Sequence, residues 1–347
     1  MAYTDIDKPS DYFNTVLYTG NGSTQSITGV GFQPDWVWLK QRANDVANRN
    51  HMLFDSNRGT QKALSSNTTD AEDTSTAYLT SYDSDGFTLG SSSVLNRNTT
   101  TYASWNWLAS NTTASNTDGS ITSTVSASTV SGFSIVSYTG TGSLATVGHG
   151  LGVAPSMIFG INRTNGGNWF GYHKSLSATQ NIQLNQTSAS STNSTFYNNT
   201  EPTSSVFTIN TNSDINTSGN NLIAYCFAEK KGFSKFGSYT GNGSTDGTFV
   251  YTGFKPAFVI GKRTNDVEDW FLFDSARDTY NVNNKLLYPN GTNAEYTGVS
   301  ARNDFLSNGF KMRITDNKEN GAGSTYIYMA FAENPFVTST GIPTTAR

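Results

Sequence analysis

The sequence predicts an all-β protein built from three tandem copies of one module of about 100 residues, each folded as a jelly-roll-like β-sandwich. Three observations support this prediction. Five short blocks recur three times in the same order within the 347 residues. These blocks are rich in Val, Ile, Tyr, Phe and Trp and are bounded by Gly, Asn, Asp and Ser, as β-strands are. No segment keeps an apolar helical period for three turns, so little helix is expected.

The first two blocks of each copy are a glycine turn and a strand that starts at a proline. The glycines allow positive φ between two strands. A proline at the start of a strand removes no hydrogen bond from the sheet. The turns are Tyr18-Thr-Gly-Asn-Gly-Ser, Tyr138-Thr-Gly-Thr-Gly-Ser and Tyr239-Thr-Gly-Asn-Gly-Ser, and the prolines are Pro34, Pro155 and Pro256.

Three further blocks complete each copy. The closing run begins 68, 67 and 70 residues after the proline in the three copies, which makes chance similarity untenable. The aromatic block begins at His51, Trp169 and Trp270, the fourth block at Asp85, Ser205 and Asn308, and the closing run at Tyr102, Leu222 and Tyr326.

The blocks divide the chain into copies, connections and ends. The Ser/Thr-rich linker is expected to be flexible, although Ile121 and Val125 would suit an edge strand. The N-terminal arm is expected to dock on another chain. The alternative is that Tyr12 and Phe13 begin the first strand of copy one. The segments are an arm at 1–15, copy one at 16–110, a linker at 111–132, copy two at 133–230, copy three at 231–335 and a tail at 336–347.

Composition excludes several classes of protein. Charged residues make up 14% of the chain, the net charge is −4, and no basic run occurs, so no nucleic-acid partner is expected. No stretch of 18 apolar residues is present, so no membrane insertion is expected. The N-terminus lacks the apolar core of a signal peptide. Cys226 is the single cysteine and cannot form an intrachain disulfide. These features indicate synthesis in a cytoplasm.

Aromatic residues are the candidates for contact with a partner or a glycan. A pair such as Trp105 and Trp107 would share one face of a strand and could stack on a sugar. The same slots hold Met329 and Phe331 in copy three, which favours a core role. The residues proposed for contact with a partner or a glycan are Tyr12, Phe13, Trp169 and Trp270, with a core or interface role favoured for the two tryptophans.

No complete catalytic or metal-binding constellation is found, so neither an enzyme nor a cofactor is expected. Asp55, His173 and Asp274 fall at one equivalent position but in different copies, which favours a polar strand end over acid–base chemistry. The three histidines lack zinc-ligand spacing. Asp83-Ser-Asp85-Gly lacks the later ligands of a calcium loop. Cys226 is read as an inert buried thiol.

The repeat resembles an uncharacterised domain family of structural proteins in marine tailed bacteriophages. The motifs that carry the resemblance are Asp11-Tyr-Phe-Asn-Thr-Val-Leu-Tyr-Thr-Gly, Gly31-Phe-Gln-Pro-Asp-Trp-Val-Trp-Leu-Lys, Ser234-Lys-Phe-Gly-Ser-Tyr-Thr-Gly-Asn-Gly-Ser and Tyr326-Ile-Tyr-Met-Ala-Phe-Ala-Glu-Asn-Pro-Phe. They extend from about Asp11 over nearly the whole chain. The resemblance transfers no catalytic residue.

The resemblance implies a virion component such as a tail fibre, a tail adhesin or a head decoration. The expected partners are other capsid or tail proteins, with a host-surface glycan as a further candidate. The protein is expected to be synthesised in the host cytoplasm and to be a homo-oligomer or present in several copies in the particle. An alternative is a carbohydrate-binding receptor module, which would be distinguished by solvent-facing aromatic residues in a groove. A glycan-cleaving enzyme is a distant third, because such enzymes place paired carboxylates in a groove.

Overall fold

The structure is a computed structural model that describes residues 3–43, 49–298 and 300–344. Strands dominate it, and the predicted all-β class is confirmed. Helical structure in these ranges is limited to four single turns: a 3-10 turn at Pro9–Asp11, α1 at Ser194–Tyr197, α2 at Ser213–Asn216 and α3 at Asn317–Asn320.

Copy one forms a six-stranded antiparallel sheet in the order β1-β9-β3-β4-β5-β6 and a three-stranded sheet in the order β2-β8-β7. Its strands are β1 (Phe13–Thr19), β2 (Gln25–Thr28), β3 (Trp36–Gln41), β4 (Met52–Asp55), β5 (Lys62–Ser65), β6 (Asp73–Thr74), β7 (Leu79–Asp83), β8 (Gly86–Leu89) and β9 (Thr101–Trp107).

The linker at 111–132 is not a flexible connection. It contributes β10 (Ala114–Asn116) and β11 (Ser123–Ser128) to the sheet of copy two. Val125 lies in β11 and is buried, while Ile121 forms a bridge with Val147. The expected flexibility is wrong, because the Ser/Thr-rich segment satisfies its backbone hydrogen bonds along the outer edge of the next strand.

Copy two forms one eight-stranded sheet in the order β10-β11-β12-β19-β14-β15-β16-β17 and a two-stranded sheet of β13 and β18. Its strands are β12 (Phe133–Thr139), β13 (Ala145–Gly148), β14 (Met157–Asn162), β15 (Phe170–His173), β16 (Gln180–Gln183), β17 (Ser191–Thr192), β18 (Val206–Ile209) and β19 (Asn221–Phe227).

Copy three forms a four-stranded sheet in the order β20-β26-β22-β23 and a three-stranded sheet in the order β21-β25-β24. Its strands are β20 (Ser234–Thr240), β21 (Phe249–Tyr251), β22 (Phe254–Arg263), β23 (Phe271–Asp274), β24 (Asn303–Leu306), β25 (Gly309–Met312) and β26 (Thr325–Pro335).

The same four-strand arrangement recurs in the three large sheets. In each sheet the strand of the closing run lies between the first strand of the copy and the strand of the proline block, here called the proline-led strand. The strand of the aromatic block lies on the other side of the proline-led strand. The proline-led strands are buried on both faces. In β3, for example, Trp36 and Trp38 belong to one core, whereas Val37 and Leu39 face a second one with Phe87. Burial on both faces explains why these strands read as continuous apolar runs.

The inner faces of the three large sheets meet in one shared core. At its centre lie Trp107, Phe227 and Phe331, which occupy one equivalent position in the three closing strands. Their ring centroids are 6.4 Å apart for Trp107 and Phe227, 5.7 Å for Trp107 and Phe331, and 6.0 Å for Phe227 and Phe331. The large sheets of the three copies therefore contact one another through these rings.

The N-terminal arm packs on its own chain. The backbone N–H of Asp5 donates to the Lys231 carbonyl at 2.9 Å, and Ile6 is buried in the shared core. Strand β1 already begins at Phe13, so the arm ends earlier than the predicted boundary at residue 15. The connection between copies two and three supplies the surface for the arm within the chain, and docking of the arm on another chain stays a prediction. Met1 and Ala2 lie outside the described residues.

The C-terminal tail also folds back. The N–H of Phe336 donates to the Gly253 carbonyl at 3.2 Å, and Val337 bridges to Pro343. The N–H of Ser339 donates to Asp7 Oδ1 at 2.6 Å, which ties the tail to the arm. Both ends of the described chain thus lie on copy three. Residues 345–347 lie outside the described ranges.

Candidate functional site

One polar position at the end of the aromatic strand joins each copy to the next. Its three occupants are buried: Asp55, His173 and Asp274. The Tyr225 hydroxyl of copy two donates to Asp55 Oδ2 at 2.7 Å. The Trp105 Nε1–H of copy one donates to Asp274 Oδ2 at 3.0 Å. His173 Nε2 lies 3.1 Å from the Tyr328 carbonyl oxygen of copy three. The contacts run cyclically from copy one to two, two to three and three to one.

At the interface of copies one and two, Asp55 is the first residue in a chain of alternating charges. Arg58 Nε donates to Asp55 Oδ2 at 2.5 Å, and its NH1 group donates to Glu72 Oε2 at 3.2 Å. Glu72 then accepts two hydrogen bonds from Arg163 of copy two, at 2.8 and 3.1 Å. The order Asp–Arg–Glu–Arg leaves each charge beside an opposite one, as burial demands.

The interface of copies three and one repeats this arrangement. Arg277 Nε donates to Asp274 Oδ2 at 2.5 Å, and its NH1 group donates to Glu295 Oε2 at 3.1 Å. Glu295 accepts two hydrogen bonds from Arg42 of copy one, at 2.9 and 3.0 Å. Two of the three interfaces are therefore closed by the same four-residue ion chain.

The interface of copies two and three has no such ion chain among the described residues, although Lys235 pairs with Glu229 across it at 2.6 Å. His173 stands in place of the aspartate, and Leu176 stands in place of Arg58 and Arg277. The backbone N–H of Ser190 donates to the Thr264 carbonyl. In the same way, the backbone N–H groups of Glu72 and Glu295 donate to the carbonyls of Arg163 and Arg42. Serine and threonine thus take the places of glutamate and arginine. These shorter side chains leave a groove of about 570 Å³ between the two copies.

The two ion chains shift the pKa values of their members. Burial alone would lower the pKa of the Arg58 guanidinium, but the charges of Asp55 and Glu72 outweigh burial and raise it. Burial alone would raise the pKa of Glu72, but the hydrogen bonds and charges of Arg163 and Arg58 hold it below its usual value. The pKa of Glu295 is lowered in the same way by Arg42 and Arg277. Arg58, Glu72 and Glu295 therefore stay charged at neutral pH.

Two buried lysines contact neighbouring copies through carbonyl oxygens. Lys40 Nζ donates to the carbonyls of Arg49 at 2.7 Å and of Thr292 in copy three at 3.0 Å. Lys262, at the equivalent position, donates to the Thr187 carbonyl of copy two at 3.1 Å. Burial lowers the pKa of Lys40 to about 7 and that of Lys262 to about 8. Both lysines hold copies together.

Most of the aromatic residues proposed for partner or glycan contact are interior. Phe13 is buried beside Trp107, Phe258 and Phe331. Trp169 and Trp270 are buried, and each indole N–H donates to a carbonyl of another copy: Ser65 at 2.9 Å and Gln183 at 3.0 Å. These residues are inaccessible to a glycan, because the sheets' inner faces meet. Tyr12 is half-buried with its ring against Phe233. Trp105 and Trp107 are buried too.

A small cleft on copy three does present aromatic rings to solvent. Tyr3 of the arm is 61% exposed and Tyr251 is 59% exposed, and both line a cavity of about 190 Å³. Glu229 lies in the same cleft and pairs with Lys235 at 2.6 Å. Sequence analysis missed this cleft because its two tyrosines are distant along the chain, and because only folding brings the arm to copy three.

The remaining candidate groups are structural. Burial raises the pKa of the Cys226 thiol, which lies in the core of copy two. Asp85 accepts hydrogen bonds from the N–H groups of Gly29 and Gly31. Within the described ranges, no cluster of three metal-ligating side chains is found. None of the helices described has the length and apolar character needed to cross a bilayer.

Comparisons with known proteins agree with the extent of the repeat. A search of curated proteins finds no match. The sequence profile of a family described as "Domain of unknown function (DUF7483)" matches residues 8–335, which covers all three copies and all but the ends of the chain. The chain belongs to this family.

Proposed function

We propose that the chain is a non-enzymatic structural protein on the exterior of a tailed-phage particle, attached to the capsid or tail in several copies. One observation supports this role most strongly. The three copies share a single aromatic core and form one body, in which the polar groups that resembled catalytic residues bind neighbouring copies. This architecture suits a structural protein that is fixed in a particle and exposes its surface.

The architecture under this proposal is that of a fused trimer. Each copy is one β-sandwich, with its large sheet facing the shared core and its small sheet facing outward. Each sandwich also has a core of its own between the two sheets. Fusing three sandwiches in one chain removes the entropic cost of assembling three subunits. It also lets the three interfaces differ, since two of them carry the four-residue ion chain and one does not.

Attachment to the particle can be tested directly. Particles purified from a lysate of the phage that encodes the chain should contain it in several copies by quantitative mass spectrometry. An antibody raised against the folded protein should decorate intact particles in electron micrographs at a fixed place on the head or tail. Recovery of the protein only in the soluble fraction, with unlabelled particles, would overturn the proposal.

Glycan recognition is the second candidate, and the cleft between Tyr3 and Tyr251 favours it. Exposed aromatic rings beside polar side chains are a common feature of sugar-binding surfaces, because rings stack on sugar faces. Binding of host-surface polysaccharide that is lost in Tyr251→Ala would support it. Equal binding by the wild type and by Tyr251→Ala would remove this cleft as the site.

A further inference from the structure

Copy one contains a cavity of about 350 Å³ at the edge of the core between its two sheets. Its floor is apolar, because buried Met52 and Ala63 of that core line it. Ser65 and Val94 also line the cavity, and its rim includes the exposed Asp73. The described residues that line it all belong to copy one, so this cavity is distinct from the groove between copies two and three.

Strand pairing shows which residues of copy three occupy the same positions. In copy one, β5 pairs with β4 on one side and with β6 on the other. In copy three, the residues around Leu287 pair in the same way with β23 and with Tyr296. Each corresponding side chain is larger in copy three than in copy one. The correspondences are Ala63 with Leu286, Ser65 with Tyr288 and Asp73 with Tyr296.

Two tyrosine rings fill this region of copy three. The Tyr288 ring packs against the core of that copy, and Lys318 Nζ lies 4.7 Å from the ring centroid. The guanidinium carbon of Arg302 lies 4.7 Å from the centroid of the Tyr296 ring. Val94 stands at the position of Lys318, because each lies two residues before the asparagine that donates to a serine carbonyl of the glycine turn. The cavity of copy one therefore lies where copy three has aromatic rings.

The floor of the cavity offers a ring an apolar surface. Met52 lies opposite Leu39 in copy one, where copy three has Phe271 opposite Gly261. The Met52 sulfur lies 3.5 Å from Ser65 Oγ, at the position from which the Tyr288 ring extends in copy three. A thioether makes favourable contacts with an aromatic ring and adapts to its shape.

The rim of the cavity carries two charged groups without a side-chain partner among the described residues: the Arg49 guanidinium and the Asp70 carboxylate. Asp73, in contrast, accepts a hydrogen bond from the Tyr78 hydroxyl at 2.6 Å. A guanidinium donates hydrogen bonds and a carboxylate accepts them. The main chain of a polypeptide offers a C=O group to the first and an N–H group to the second, whereas a bare aromatic molecule offers neither.

We propose that the cavity of copy one binds a tyrosine side chain of another polypeptide, with the ring on Met52 and the adjoining main chain at Arg49 and Asp70. An apolar cavity of about 150 Å³ already holds benzene, so a phenol ring fits in this larger one. Tyrosine is the ring that the chain itself places at both equivalent positions of copy three. The inference goes beyond the proposed function, since it depends on the cavity and not on a location in a particle.

The test uses the full chain with [13C-methyl]methionine and the capped residue N-acetyl-L-tyrosinamide. We expect a saturable shift of the Met52 methyl signal in the NMR spectrum, because an aromatic ring shifts the resonances of nuclei that it covers. The signal is identified by its absence from Met52→Leu. The signals of Met157, Met312 and Met329, which are buried in other cores, should not move.

Two substitutions at Ser65 separate filling of the cavity from loss of a hydroxyl group. Ser65→Tyr introduces the residue that copy three has at this position, so the shift of the Met52 signal should be lost. Ser65→Ala leaves the cavity open and should bind as the wild type does. Both variants keep the Ser65 carbonyl that accepts from the Trp169 indole.

Several results would overturn the proposal. These are an absence of a saturable shift in the wild type, an equal shift with the ringless N-acetyl-L-alaninamide, or an unchanged shift in folded Ser65→Tyr. Binding of free L-tyrosine without binding of the capped residue would assign the cavity to the free amino acid and exclude the polypeptide partner. The titration uses the wild-type protein, so the proposal stays falsifiable even if Ser65→Tyr does not fold.

Discussion

The role of Asp55 and of Asp274 is set by a hydrogen-bond partner in another copy. Each accepts a hydrogen bond from the closing strand of the next copy, from Tyr225 in one case and from Trp105 in the other. In the third interface the closing strand offers Met329, whose side chain has no N–H or O–H group, and the aspartate is replaced by His173. The arginine three residues later is replaced at the same time by Leu176. The polar residues thus differ between interfaces together with the residues of the neighbouring copy that they contact.

The first prediction concerns the cost of breaking one ion chain. In Asp55→Ala, Arg58 is left buried without its main counter-charge. We expect the free energy of unfolding to fall by about 3–5 kcal/mol. Urea denaturation at pH 7 measures this change.

The matched control introduces into this interface the residues of the interface that lacks the ion chain. Asp55→His, Arg58→Leu and Tyr225→Met together introduce the residues found between copies two and three. This triple variant should lose less stability than Asp55→Ala, because no buried charge remains unpaired. A triple variant that is less stable than the single one would contradict the explanation.

The second prediction concerns Glu319, a buried acid in the core of copy three. Leu95 and Ile215 precede the equivalent asparagines in the other copies, whereas Glu319 precedes Asn320. Its Oε1 accepts from Arg302 NH1 at 2.6 Å, but its Oε2 has no partner among the described residues. Burial raises the pKa of Glu319 to about 7, from an ordinary value of 4.5, against the opposing charge of Arg302.

A raised folded-state pKa means that the folded protein holds this proton more tightly than the unfolded chain. The resulting stability is fully present below pH 4.5 and is lost as pH rises through 7. Relative to Glu319→Gln, which does not titrate, the wild type should lose on the order of 1–3 kcal/mol between pH 5 and pH 8. Denaturation curves at several pH values measure the difference. A difference that is constant with pH would show that Glu319 does not titrate in this range.

At the scale of elements, the strands recognised in the sequence are those whose pattern reflects burial. Most residues of the proline-led strands and the closing strands are apolar because these strands are buried on both faces, although the closing strand of copy one also contains the buried polar residues Ser104 and Asn106. The sequence of the linker contains no continuous apolar run. Strand β11 has a polar composition, and it forms because its backbone groups pair with β12 and because Val125 enters the core of copy two.

The third prediction concerns the arm. Deletion of residues 1–11 removes Ile6 from the shared core and the hydrogen bonds of Thr4 and Asp5 to Lys231. We expect a loss of about 2–4 kcal/mol, the usual cost of removing a buried aliphatic side chain, measured by chemical denaturation. Ile6→Ala in the full chain should reproduce much of this loss, whereas Tyr3→Ala should change little because Tyr3 is exposed. A truncated protein as stable as the full chain would show that the arm is not part of the core.

At the scale of the whole molecule, the inner faces of the three copies exclude water together, because their buried residues form one core. Trp107, Phe227 and Phe331 touch one another at the centre of this core, so each copy completes the core of the other two. A copy removed from this arrangement would expose a large aromatic face to solvent.

The fourth prediction follows from this shared core. The full chain should unfold in one calorimetric transition, with the van't Hoff enthalpy close to the calorimetric enthalpy. An isolated segment 111–230, which contains copy two with its linker strands, should aggregate or fail to fold. Three separable transitions, or a stable monomeric segment, would show that the copies are independent.

The sequence by itself determined the all-β class, the blocks and their order, because strand composition and turn chemistry are local properties. It also determined that Asp55, His173 and Asp274 are equivalent. Only the tertiary structure decided what those residues bind, that Trp169 and Trp270 are interior, and that the arm lies on copy three. These features depend on contacts between copies, which pair residues 87 or more positions apart. The repeat in the sequence shows that three similar units exist. The apolar pattern of their inner faces would be the same in any arrangement of the units, so this pattern does not specify how the units pack.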